Sequence, residues 1–136
     1  MAGTKSDYWA DAVLNYTLRG TAIPVLPGSL YLALFTAGPN SAGVGTEVSG
    51  GSYARVALTR AGGTFDAPSP VGVTANTAVI SFPTPTVDWG TVVGWALYDA
   101  STGGNMIYFG DLSAGGSCPV GVTVTVPIGD LDITER

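Results

Sequence analysis

The sequence predicts a mostly β fold, an antiparallel β-sandwich or jelly-roll-like domain with one N-terminal α-helix. Three observations carry it. Residues 6–19 hold apolar side chains at helical spacing between cap residues. From residue 29 onward, β-branched and aromatic runs alternate with Gly, Pro, Asn and Ser turns. No further helical stretch separates those runs, so a parallel α/β sheet is not expected. At 136 residues the chain is expected to form one domain, 1–136, able to bury about two-thirds of its unfolded surface without disulfides or metals.

The helix is expected over 6–19. Ser6 is a suitable N-cap, Asp7 and Asp11 sit toward the positive end of the dipole, and Arg19 sits at the negative end. Gly20 suits the left-handed position that ends a helix. Ala10, Val13, Leu14, Thr17 and Leu18 form its stripe, with Tyr8, Trp9 and Tyr16 adding aromatic area. That is too much apolar surface for a solvated arm, so the helix must pack on its own domain or on a neighbour. Pro24, Pro27 and Gly28 punctuate the connection that follows. Strands are predicted over 29–36, 53–60, 73–82, 92–99, 105–112 and 119–126, with shorter ones near 64–66 and 128–134. In the last long strand Val120, Val122, Val124 and Val126 alternate with Gly121, Thr123 and Thr125, the pattern of a half-buried strand. Asp99 to Asn105 reads as a hairpin turn. Residues 37–52 read as a long, low-charge loop that orders against a partner, and residues 66–72 as a second one.

Only 11% of residues are charged, against about 25% in an ordinary soluble domain. Lys5 is the one lysine. Interface cores are depleted in Lys, Glu and Asp, so a surface this poor in charge fits one covered by other chains. A soluble acidic β domain with a neutral surface is the plainer alternative. The net charge of −5 and the scattered basic residues argue against a nucleic-acid surface. No apolar run approaches the ~18 residues of a spanning helix, and the polar N-terminus has no signal-peptide core. No membrane partner is expected. Cys118 stands alone, so burial as a small apolar residue is expected, in a protein made in the cytoplasm.

Catalytic chemistry finds little footing. Histidine is absent, which removes the commonest general base and every His-activated nucleophile. A single cysteine leaves no structural zinc site. The carboxylates fall in turns and at element ends, and neither Asp130-Leu131-Asp132 nor the 99–105 loop has calcium-loop spacing. Gly43–Thr46 and Gly50–Gly51 lack the phosphate-loop pattern. The expectation is no catalytic residues, no cofactor and no metal. Trp89, Trp95, Tyr98, Tyr108 and Phe109 would serve either as core or as a sugar-stacking platform. Alternating strand positions favour core, with Trp89, just before a strand, the best candidate for partial exposure.

Several motifs stand in a telling order. Ser6-Asp7-Tyr8 opens a helix ending Leu18-Arg19-Gly20-Thr21-Ala22. Leu30 to Thr36 and then Gly45 to Arg55 follow. Ile80-Ser81-Phe82-Pro83 precedes Trp89-Gly90, and Asp99-Ala100 precedes Thr102 to Asn105. Over nearly the whole chain this order resembles a family of small tailed-bacteriophage virion proteins, often labelled tail fibre. In size and expected form the chain is also similar to capsid decoration, or cement, proteins. The resemblance implies a virion component made in the host bacterial cytoplasm, without catalysis. It further implies partners among copies of itself, in a homotrimer, and the major capsid protein or other virion proteins. A cement protein bridging capsomers is the leading expectation, since no stalk repeat is present. A tail-associated adhesion module binding a host-surface glycan is the alternative. Tyr8, Trp9, Arg19, Glu47, Arg55 and Trp89 are the expected interface residues, with Arg19, Arg55 and Glu47 in interfacial ion pairs.

Overall fold

The computed structural model describes residues 2–135, apart from the side chains of residues 113 and 114. In chain order the elements are β1 (Ala2–Lys5), α1 (Asp7–Arg19), β2 (Ser29–Ala37), β3 (Thr46–Glu47), β4 (Val56–Thr59), β5 (Val73–Ala75), β6 (Ile80–Ser81), β7 (Thr91–Tyr98), β8 (Met106–Ser117), β9 (Thr125–Val126) and β10 (Asp132–Thr134). The fold is mostly β with one helix. An eight-stranded sheet runs β3-β2-β7-β8-β1-β10-β5, with β4 also pairing β2, and β6 and β9 form a second small sheet. Pairing is antiparallel except between β1 and β10, which run parallel.

The centre of the sheet is buried on both faces because β2 and β7 are near-continuous apolar runs. Successive side chains of a strand point to opposite faces. Leu30, Leu32 and Leu34 therefore join Trp95, Leu97 and Ile107 in the larger cluster, which the loops complete with Ile80, Phe82, Trp89, Cys118, Val126 and Leu131. Ala33, Phe35, Ala96 and Met106 make a smaller cluster. At the middle of the larger one lies Trp95, which has no exposed surface. It pairs with Gly110 on β8, and Gly110 pairs with Gly3 on β1. A Cβ on Gly3 would stand 2.2 Å from Trp95 Cη2, and one on Gly110 would stand 2.3 Å from the Ala2 carbonyl oxygen and 2.9 Å from the indole. The two glycines thus form the seat on which the indole lies.

The helix forms as the sequence predicts. The Ser6 hydroxyl accepts from Trp9 N–H and donates to the Met106 carbonyl, and Gly20 closes the helix at φ 68°. Its N-terminus is fixed to β8 and to the 38–45 loop, through Ser6 N–H to Ile107 O and Asp7 N–H to Ser41 O.

Several expectations need correction. β1 was not anticipated, because four residues Ala-Gly-Thr-Lys carry no strand pattern of their own; their place is set by neighbours on both sides. The 53–60 strand shortens to β4. The 73–82 strand divides into β5 and β6, which lie in different sheets, because the chain bends at Thr77 and Ala78. The 119–126 strand shrinks to β9. Gly121 sits at φ 80°, which breaks extended pairing, and Val120 and Val122 are 56% and 54% exposed while Val126 is buried. The 64–66 segment makes one bridge, Phe65 to Asn76, and the 128–134 segment contains β10. The 37–52 segment is ordered on its own chain and holds β3.

Candidate interaction surface

β3 and β4 line the same edge of β2, one beyond the other, which brings Glu47 near Arg55. Arg55 Nε and Nη2 donate to the two Glu47 carboxylate oxygens, each at 2.8 Å. Arg55 Nη1 donates to the carbonyls of Ala100 and Gly103, also at 2.8 Å, and Cζ stands 3.8 Å from the centre of the Tyr98 ring. The Tyr53 hydroxyl donates to Glu47 at 2.8 Å and accepts from Leu34 N–H at 3.0 Å. Only 6% of the Arg55 side chain and 26% of the Glu47 side chain are exposed. Burial pushes the Glu47 carboxyl up, but the hydrogen bonds from Arg55 and Tyr53 and the Arg55 charge outweigh it, leaving it below its ordinary value. Burial, then Glu47, push Tyr53 up. The group is a latch that ties the 99–105 hairpin to the β2 edge. Both Glu47 and Arg55, expected in pairs with a partner chain, are paired with each other.

The hairpin in turn forms one wall of a cleft of about 410 Å³. Tyr8, Tyr98, Asp7, Ser41 and Asn105 are among its lining residues. On the other side of Arg55 lies a second cleft of about 440 Å³, between the 47–50 segment and the hairpin. Among the described residues no group of three or more His, Cys, Asp and Glu stands together as a metal-binding set.

Trp89, expected to be partly exposed, is 5% exposed. Its ring meets Tyr53 edge-on at 5.4 Å and its Nε1–H donates to Gly51 O at 3.1 Å, so it belongs to the core. The sequence hid this because the residue lies outside any strand. Trp9 is half-buried; its side chain hydrogen-bonds Tyr108, whose hydroxyl donates to Glu135 at 2.7 Å. Lys5 pairs with the same Glu135 at 2.5 Å, tying β1 to the segment just after its neighbour β10.

The remaining expected residues sit on α1. None of its 13 residues is buried. Tyr8 is 37% exposed, Leu14 and Tyr16 55%, and Leu18 78%. Among the described residues Arg19 hydrogen-bonds only Asn15, within its own helix, at 3.2 Å. The connection after α1 continues the pattern, with Val25 at 98% exposure. These exposed apolar side chains all lie on α1 and the connection that follows it. No helix among the described residues is long and apolar enough to cross a membrane.

A protein-family model described as Podophage GP4 fiber I protein gp80 matches residues 4–134. No curated protein matches the chain.

Proposed function

We propose, from the premise that the chain belongs to the podophage GP4 fiber I protein gp80 family, that it is a non-enzymatic virion component that works by packing against other chains. Its partners in this reading are copies of itself and neighbouring virion proteins. The observation that carries it is α1, a well-capped helix whose Leu14, Tyr16 and Leu18 stay exposed on their own chain. The family's fibre label favours a place at the tail. Capsid decoration, the leading expectation from sequence, would use the same helix against the shell and stabilise it by mass action. It draws support from the lack of any stalk-like repeat in these residues. A reconstruction of the phage particle tests both: density for this fold at the tail supports the fibre reading, and density on the shell lattice supports decoration. Absence from purified particles, by mass spectrometry, refutes both.

A glycan-binding role has one observation in its favour. The 410 Å³ cleft is lined by Tyr8 and Tyr98 together with Asp7 and Asn105, the mix of aromatic and polar residues that sugars use. Binding on a glycan array that Tyr8→Ala abolishes would establish it; an array with no binder would refute it.

A further inference from the structure

We propose that the groove between the end of β8 and the 122–126 segment takes an extended segment of a neighbouring virion protein as an added β-strand, uncharged in its middle and flanked by basic residues. This rests on the packing reading above and gives one partner a place and a chemistry.

Residues 120–126 alternate valine with glycine and threonine, yet only Thr125 and Val126 form a strand, β9, paired with β6. Phe82 N–H donates to Val124 O at 2.9 Å. Bonded positions alternate along an antiparallel ladder, so Thr125 turns its own N–H and C=O away from β6. Among the described residues β9 has no second partner strand, and that edge is open. β8 ends in the same condition. Cys118 N–H donates to Gly90 O at 2.9 Å, continuing the β7 ladder, so Ser117 turns its N–H and C=O away from β7. Among the described residues β1 covers that side of β8 only at Tyr108, Phe109 and Gly110.

Ser117 and Thr125 both line one groove of about 340 Å³, whose apolar walls include Leu34, Val92, Leu112 and Val122. At about 3.3 Å along the chain, 4.8 Å between strands and 10 Å between sheets, a strand residue fills roughly 160 Å³, so the groove holds about two residues. The rest of the segment lies along the surface beyond it. Open edges are usually guarded by lysine or by inward-pointing charges. Residues 112–129 carry no charge, so neither edge is guarded in that way. The charge nearby is negative. Asp130 lines the groove, and Asp88 lines a smaller cleft that shares Ser117 and Cys118 with it. Among the described residues no Lys or Arg lines either one. A strand that lays apolar side chains in the groove and carries Lys or Arg at its ends meets a complementary surface, whereas an acidic one is repelled. Main-chain hydrogen bonds to the two open edges would supply affinity, and the apolar walls would select alternate side chains.

The probe is the synthetic peptide acetyl-Lys-Val-Thr-Val-Thr-Val-Lys-amide, titrated into the isotope-labelled whole chain and followed by NMR. Amide shifts are expected at Ser117, Val122 and Thr125, with a Kd of about 0.1–1 mM. Replacing both peptide lysines by glutamate, or N-methylating alternate peptide nitrogens, should weaken binding about tenfold. Thr125→Pro removes the outward N–H and leaves the β6 side bonded; Val122→Lys puts a guard on a position that is 54% exposed. Each should also weaken the probe about tenfold. Far-UV circular dichroism checks folding, and Val122→Lys decides if Thr125→Pro does not fold. No shift up to about 5 mM probe, shifts away from the groove, an N-methylated probe that binds equally well, or folded variants that bind as wild type does overturn the added strand. Shifts at the same residues that grow with protein concentration alone put a second copy in the groove and overturn the proposed partner. A virion whose neighbouring chains leave the groove empty sinks this proposal alone; a chain absent from the virion sinks the packing role.

Discussion

Gly3→Ala tests the glycine seat beneath Trp95. The added methyl would stand 2.2 and 2.3 Å from two indole carbons and 3.0 Å from the Phe109 carbonyl oxygen. The indole has no exposed surface, so it has nowhere to retreat without opening the core. Overpacking of this kind costs about 1–3 kcal/mol, and two contacts this close put the cost near the upper end, about 3 kcal/mol. At about 3–4 °C per kcal/mol for a chain of this size, the melting temperature should fall by about 10 °C. Scanning calorimetry and urea unfolding measure it. A second background isolates the cause. Trp95→Leu alone should cost about 3–4 kcal/mol through lost burial and a cavity. With the indole gone the Gly3 methyl has room, so the double variant should be no less stable than Trp95→Leu, a coupling of about 3 kcal/mol. A Gly3→Ala protein melting within about 2 °C of wild type would refute the reasoning. So would an undiminished cost in the Trp95→Leu background.

Four further outcomes are expected. Asn76→Ala should destabilise by about 2–4 kcal/mol in urea unfolding, because its buried amide donates to Ala78 and Pro127 carbonyls and accepts from Leu131 N–H, all of which would lose their partner. Arg55→Ala should cost about 3 kcal/mol and loosen the 99–105 hairpin, read as faster amide exchange there. Glu47 has a depressed folded value, so its contribution is present above its ordinary 4.5 and lost as pH falls through the lower folded value; wild type should therefore lose stability in acid more steeply than Glu47→Gln. Cys118 is 6% exposed and its thiol is pushed up by burial, so thiol reagents at neutral pH should label it only on unfolding.

The helix was legible because its signals are local: Ser6 and Gly20 cap it and Leu14 and Leu18 keep its period. β2 and β7 were legible for a similar reason, since a run such as Leu30 to Thr36 is apolar enough to demand burial on both sides. What escaped depends on distant partners. Ala2–Lys5 becomes a strand only between β8 and β10. Val120 and Val122 alternate correctly, yet Gly121 takes a positive φ and the chain leaves the sheet. For the candidate surface, counting charges brought Arg19, Glu47 and Arg55 forward for ion pairs with another chain, but nothing local showed that Glu47 and Arg55 are each other's partner. Trp89 was misjudged because its burial comes from Tyr53 and Gly51, over 30 positions away.

The parallel pairing of Ala2 with Asp132 and of Gly3 with Ile133 spans almost the whole chain. During synthesis residues 2–5 are made well before residues 132–134 and must wait for them before that edge of the sheet can close. β1 meanwhile has only β8 to hold it, and loop closure over such a separation is slow. A nascent chain stalled before residue 132 therefore carries an open strand edge along β1.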